Sequence, residues 1–520
     1  MNSASGSSMK RNRILLLLSL MLAVLCTSCI KEPQYLTDGS ARLAFSDDTV
    51  KFDTIFTTMG TTTLQVKVYN NYDEPLLLDA VTLLKGHASR FRINVDGDSS
   101  MVARNVEIEA HDSIFLFVQA NINPNDQTSP FLVTDSVCFR FNNSEQYLPL
   151  MAFGRNAVYH LPTSRVYSTY INQRGQVDTL WYPYSVIDCD NWDHTRPHVI
   201  FGYAVVNSNE TLHLYAGDEL FFADNAYLWV YDSATLDARG TQGNPIRFTS
   251  LRHDDWYDSL PGQWGYIWLS TGSKDNHIEW ARIENGMAGI VVDTNVNSNP
   301  TLTISNSVIQ NHSLSGIIGQ GAYIEGDNLL VCNCGNTVLQ LQFGGRYRFS
   351  NSTFANYWRY GSRSASAVVL NNYYNYDEQT LFPRDLLQAD FYNCIIYGNY
   401  TTRDGADEFL MDYNPAAAFN CRLDHCIVRC SQLDTLGHSS ADPSLLINCH
   451  RLLLNQDPRF VDPRMGDYHL GEESPAIGAA DNSHLLVSYD LDGTPRAYPP
   501  SIGAFEYQPQ QAEKKRPFHR

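Results

Sequence analysis

Basic residues are scarce in this chain. Only 37 Lys and Arg stand against 56 Asp and Glu among 520 residues. A surface of that sign repels a phosphate backbone, so no nucleic acid is expected as a partner. The repeated middle of the chain sustains no apolar stripe at i, i+3, i+4, i+7, so packed helices are not expected there. The strongly apolar run at 14–25 is shorter than the ~18 residues a spanning helix needs. The sequence contains no phosphate loop, serine nucleophile elbow or metalloprotease helix, which argues against the reactions those motifs mark. Most of the many carboxylates read as a solvated acidic surface. Calcium is the one cofactor they leave open, and no other cofactor is expected.

What the chain has instead is a recurring phrase. Asn306-Ser307-Val308-Ile309-Gln310-Asn311 returns as Asn351-Ser352-Thr353-Phe354-Ala355-Asn356 and, more loosely, as Asn393-Cys394-Ile395-Ile396-Tyr397-Gly398-Asn399. Weaker echoes end at Asn285 and Asn333, so the closing asparagines step by 26, 22, 23 and then 43 residues, the last near two units. Periods of this size mark a solenoid. Alternation such as Leu302-Thr303-Ile304-Ser305 is that of a strand with one buried face. One unit cannot bury that face alone, so units must stack, with equivalent residues ~4.8 Å apart. Stacked asparagines can then bond to one another and to turn backbone, which predicts a ladder built on the closing Asn. This pattern, with opening segments such as Leu228-Trp229-Val230-Tyr231 and Leu236-Asp237-Ala238-Arg239-Gly240, resembles right-handed parallel β-helix proteins. The handedness comes from that resemblance.

The N-terminus reads as a targeting segment. Lys10, Arg11 and Arg13 precede the apolar run, which closes in Leu25-Cys26-Thr27-Ser28-Cys29. This resembles a bacterial lipoprotein signal of the Bacteroidetes type, with Cys26 standing where Leu is usual. The resemblance implies cleavage before Cys29, lipidation of Cys29 and a lipid anchor in the outer membrane, on either its periplasmic or its surface face. Without this leader, 34 basic residues face 56 acidic ones, a net charge of −22.

The expected fold is all-β, in successive segments. Residues 1–28 are the signal peptide and 29–39 a tether. About seven short strands over 40–158 suggest an immunoglobulin-like β-sandwich. A connector rich in Tyr, Trp and Asp covers 159–198, and the β-helix covers 199–455, with an inserted loop at 373–387. Residues 456–508 resemble the terminal segment of secreted bacterial β-helix proteins and are expected to cap the open end of the stack. Within them, Asp490-Leu491-Asp492-Gly493 reads as a turn held by Asp side chains. Residues 509–520 are a polar tail expected to be disordered.

Candidate sites are few. Cys394 and Cys426 occupy equivalent places in the repeat and read as stacked interior residues rather than metal ligands. No catalytic or metal site is assigned. Trp256, Trp264 and Trp268 sit beside Asp254 and Asp255. Indoles next to carboxylates suit stacking and hydrogen bonding of sugar rings, so these five residues form the expected ligand site. The function expected is glycan binding by a cell-envelope lipoprotein, without catalysis. A polysaccharide lyase or glycoside hydrolase, or a structural or adhesive surface protein, are the alternatives.

Overall fold

A computed structural model of the chain describes residues 34–57, 61, 63–122, 131–171, 176–252, 257, 259–377, 380–400, 407–434, 436–439 and 447–509. The expected signal peptide, the lipidation site Cys29 and residues 510–520 lie outside these. The chain divides into two compact units, residues 1–155 and 156–520.

In the first unit, four strands pair in the order Ala44–Phe45, Leu64–Tyr69, Ser113–Ala120, Phe91–Val95. Five more pair as Val50–Phe56, Ser144–Arg155, Phe131–Phe141, Leu76–Leu83, Val102–Ile108. All these pairings are antiparallel except the one between Val50–Phe56 and Ser144–Arg155. Alternation does the sorting: Val66 and Val68 are buried while Gln65 and Lys67 between and beside them are exposed. Both sheets feed one core that includes Phe91, Leu116, Phe139 and Leu148. Nine strands are described where the sequence suggested about seven.

The second unit is a parallel β-helix. Its three long sheets contain eleven, ten and nine strands. A central coil gives one strand to each sheet: Ala281–Glu284 to the first, Ala288–Val292 to the second, Leu302–Ser305 to the third, after which Val308–His312 returns to the first. In-register columns fill the interior. One runs Leu228, Ile267, Ile290, Ile317, Leu339, Val368, Phe409, all buried. Cys394 and Cys426 lie in this core as well, and the nine cysteines described are unpaired.

The unit begins earlier than the sequence suggested. Val158–His160 already pairs in parallel with His198–Ile200, and the hairpin Ser164–Ile171 with Val177–Val186 forms the edge of the second sheet. Much of the expected connector is therefore part of the stack. The insertion near 373–387 is a hairpin, Tyr373–Asp377 against Thr380–Pro383.

The asparagine ladder exists, but on the opening Asn of the phrase. Asn328 Nδ2 donates to Asn306 Oδ1 (2.8 Å) and Asn393 Nδ2 to Asn351 Oδ1 (3.1 Å). Between them, Asn351 Nδ2 donates to Asp327 Oδ1 (3.0 Å). These four asparagines open the two-residue corner between the third and first sheets, each with φ between 48° and 53°. Asn is among the few non-glycine residues that tolerate that left-handed conformation. The closing asparagines make no such ladder: Asn356 spans Cys334 N–H and C=O, while Asn333 Oδ1 accepts from the Tyr468 hydroxyl and Asn399 Oδ1 from Arg363.

The C-terminal segment lies along the flank of the stack. Phe460, Tyr468, Ala476, Ile502 and Phe505 pack on Leu330, Cys332, Ala355, Ile395 and Ile427, the outer face of several rungs of the first sheet. That face is apolar and needs cover. The ladder helps hold the segment: Asn393 exchanges bonds with Asp481 N–H and C=O, and Arg496 donates to Asn328 Oδ1. Asp490 is buried and accepts backbone N–H bonds from Asp492, Thr494 and Glu506, so its carboxylate organises the turn.

Candidate functional site

The five residues of the expected ligand site separate. Asp254, Asp255 and Trp256 lie outside the described residues. Trp264 is fully buried: its ring stacks on Phe222 at 4.2 Å and its Nε1 donates to Glu284 C=O. It is a core residue, which corrects the expectation that it shares a ligand face with Trp268. The even spacing of 264 and 268 implies one face only on a continuous strand, and that strand is Ile267–Leu269. Trp264 precedes it, in the turn bridged to Gly286.

Trp268 does stand on the outer face of the second sheet, among aromatics that the sequence reading passed over. In register along the sheet, Trp268 stacks on Trp229 with centroids 4.8 Å apart and planes 9° apart. One column over, Tyr203 stacks on Tyr227 at 4.4 Å and 8°. Parallel strands place side chains of adjacent rungs at about ring-stacking distance, so in-register aromatics stack. Three further rings stand across these stacks: Tyr182 against Tyr203, Tyr266 against Tyr227 and Tyr231 against Trp229, at 80°, 80° and 82°. Tyr231 is 42% exposed. Beyond Trp268 the same register continues as Val291 and Ile318, so the aromatic surface ends there.

Polar groups are built into this face. Trp268 Nε1 donates to Asp293 Oδ2 at 2.9 Å. Burial raises the pKa of Asp293, and the Trp268 bond opposes that rise. Burial also raises the Tyr203 and Tyr227 phenols, and pushes Tyr266 up to about 12. At neutral pH the phenols are therefore neutral donors and acceptors. The arrangement offers apolar ring surface with hydroxyl groups at its rim and a carboxylate at one end. Part of the sequence signal was available: Tyr203 and Tyr227 stand 24 residues apart, close to the coil period, whereas Trp268 follows Trp229 by 39.

At the edge of the same sheet, the hairpin of Ser164–Ile171 and Val177–Val186 leaves Tyr167, Tyr170, Leu180 and Trp181 exposed. A separate group of metal-type donors, Asp424, His425 and His450, lies between the third and first sheets.

No protein-family model and no curated protein matches this chain. Among solved structures, a family 123 glycoside hydrolase from Clostridium perfringens, studied for glycolipid glycan hydrolysis, matches at 6% identity with a TM-score of 0.16. The match covers 26% of this chain and 43% of that one. A likeness so slight carries no argument about fold or function.

Proposed function

We propose that this chain is a glycan-binding protein of the cell envelope, held to the outer membrane by a lipid on Cys29, and that it binds without cleaving. The observation that supports glycan binding is the aromatic surface of Tyr182, Tyr203, Tyr227, Trp229, Tyr231, Tyr266 and Trp268 on consecutive rungs. Sugar rings present C–H faces bordered by hydroxyls. Tyr and Trp meet both needs, an apolar ring with a hydrogen-bonding edge. Rungs repeat every ~4.8 Å, so an extended chain lying along the stack meets similar chemistry repeatedly. Asp293, engaged by Trp268, orients the indole from the side.

The test is retention of the purified chain on a panel of neutral and acidic polysaccharides, scored also for new chain ends. Retention of at least one glycan, lost in Tyr231→Ala and in Trp268→Ala and accompanied by no new ends, is expected. New ends would replace this reading by a lyase or hydrolase. No retention on any glycan would favour a structural or adhesive role. Acyl labelling that persists in Cys29→Ala would overturn the anchor.

A further inference from the structure

The asparagine ladder changes chemistry near its end. The corner position holding Asn306, Asn328, Asn351 and Asn393 on four rungs holds His425 on the next, again with φ of 50°. The strand position beside it runs Asp327, Ser350, Tyr392, Asp424, His450. Two adjacent rungs thereby bring three donors to one point. His425 Nδ1 is 2.7 Å and His450 Nδ1 is 3.1 Å from the same atom, Asp424 Oδ1. The three donor atoms all lie within 4.8 Å of one another.

The surroundings fit a cation at Oδ1. Asp424 is buried, with its side chain 2% exposed. Its other oxygen, Oδ2, is taken by Arg422, with His484 Nε2 3.7 Å from it. Oδ1 therefore faces only the two imidazole nitrogens among these groups. Ligand atoms ~2.0–2.2 Å from a tetrahedral zinc ion stand ~3.3 Å apart, so little rearrangement is needed. Two nitrogens and one oxygen suit zinc or a neighbouring transition metal, whereas calcium takes oxygen ligands. The His450 side chain is 61% exposed, which gives an ion a route in and solvent a place in its shell.

We propose that Asp424, His425 and His450 form a binding site for a divalent transition-metal ion, zinc in the first place, which joins two adjacent rungs of the stack. The alternative arrangement of the same residues is a hydrogen-bond cluster in which both imidazoles donate to Asp424.

Calorimetric titration of the purified, metal-stripped chain with zinc chloride decides between them, with cobalt(II) as a visible-absorption probe. Saturable binding of a single ion is expected, with a tetrahedral cobalt spectrum and a zinc-dependent rise in melting temperature. His450→Ala removes an exposed ligand and should weaken binding by at least about ten-fold. His425→Asn should do the same while restoring the residue the ladder uses elsewhere, so folding is preserved. His438→Ala, which alters an exposed histidine paired with Asp434, should leave binding unchanged. No saturable zinc binding, or parental affinity kept in His450→Ala and His425→Asn, would overturn the proposal. A zinc-dependent melting shift that persists in His450→Ala would do so too.

Discussion

Replacing Asn351 is the sharpest probe of what holds the stack together. Its side chain is fully buried and sits in the middle of the ladder. Nδ2 donates to Asp327 Oδ1 (3.0 Å) and to His484 C=O (3.3 Å), while Oδ1 accepts from Asn393 Nδ2 (3.1 Å). Asn351→Ala removes all three bonds; Asn393 Nδ2 keeps Asp481 C=O, while Asp327 Oδ1 and His484 C=O lose this donor at about 1–3 kcal/mol each. Alanine must also hold φ of 48°, at about 1–2 kcal/mol. The expected loss is roughly 3–8 kcal/mol, with Asn351→Gly milder by about 1 kcal/mol because glycine accepts that φ. Urea denaturation followed by tryptophan fluorescence measures this, with Asn420→Ala, an exposed single bond to Leu387 C=O, expected within about 0.5 kcal/mol of the parent. There is also a pH signature. Burial raises the Asp327 pKa and the Asn351 donor opposes the rise. Losing that donor raises it further, so the penalty should shrink as pH falls and Asp327 is protonated. A loss below about 1 kcal/mol, or one equal to that of Asn420→Ala, would refute the ladder as a source of stability.

Other outcomes follow from buried groups. His312 is fully buried, and burial lowers its pKa to about 4 against a weaker opposing bond to Ile283 C=O. A histidine with a depressed folded pKa stabilises above its unfolded value near 6.5 and loses that contribution as pH falls toward 4. The loss is worth roughly 3 kcal/mol, and urea midpoints measured across that range should show it. His469 goes the other way: burial lowers its pKa, but bonds to Asp467 and Asp492 outweigh that and raise it to about 9. Its contribution is complete below pH 6.5 and lost as pH rises through 9, so His469→Gln should flatten the alkaline limb of the stability profile. Trp264→Ala should cost about 3–5 kcal/mol as a core cavity, and a denaturation midpoint like that of the parent would contradict the burial described for it. Cys394 should resist a thiol reagent until the stack unfolds, since burial keeps its thiol protonated; rapid modification of the native chain would contradict its interior position.

The architecture was readable because strand alternation and the asparagine period agree, and both survive in a single sequence. The ladder's true column was not, because Asn stands at both ends of the phrase with the same period. Left-handed backbone does not separate them either, since Asn285, Asn311 and Asn333 share it with Asn306 and Asn351; only the side-chain bonds across the rungs show which asparagines meet along the stack. Trp264 was misplaced because residue spacing reports a shared face only inside one strand. The flank position of the C-terminal segment had a signal that went unused: Ile395-Ile396 and Ile427-Val428 are apolar on both faces, as strands covered on both sides are. The Asp424 group was hidden because His425 interrupts an asparagine column and His450 lies one coil away, a neighbour only through register.

The central claim is that recognition takes place on the aromatic face of the second sheet. The direct measurement is the intrinsic tryptophan fluorescence change on titrating a retained glycan into the parent chain, Trp268→Phe, and Trp256→Phe. The account predicts a saturable change that is lost or greatly reduced in Trp268→Phe and kept in Trp256→Phe. A change kept in Trp268→Phe and lost in Trp256→Phe would contradict it and place recognition on the segment around residue 256 instead.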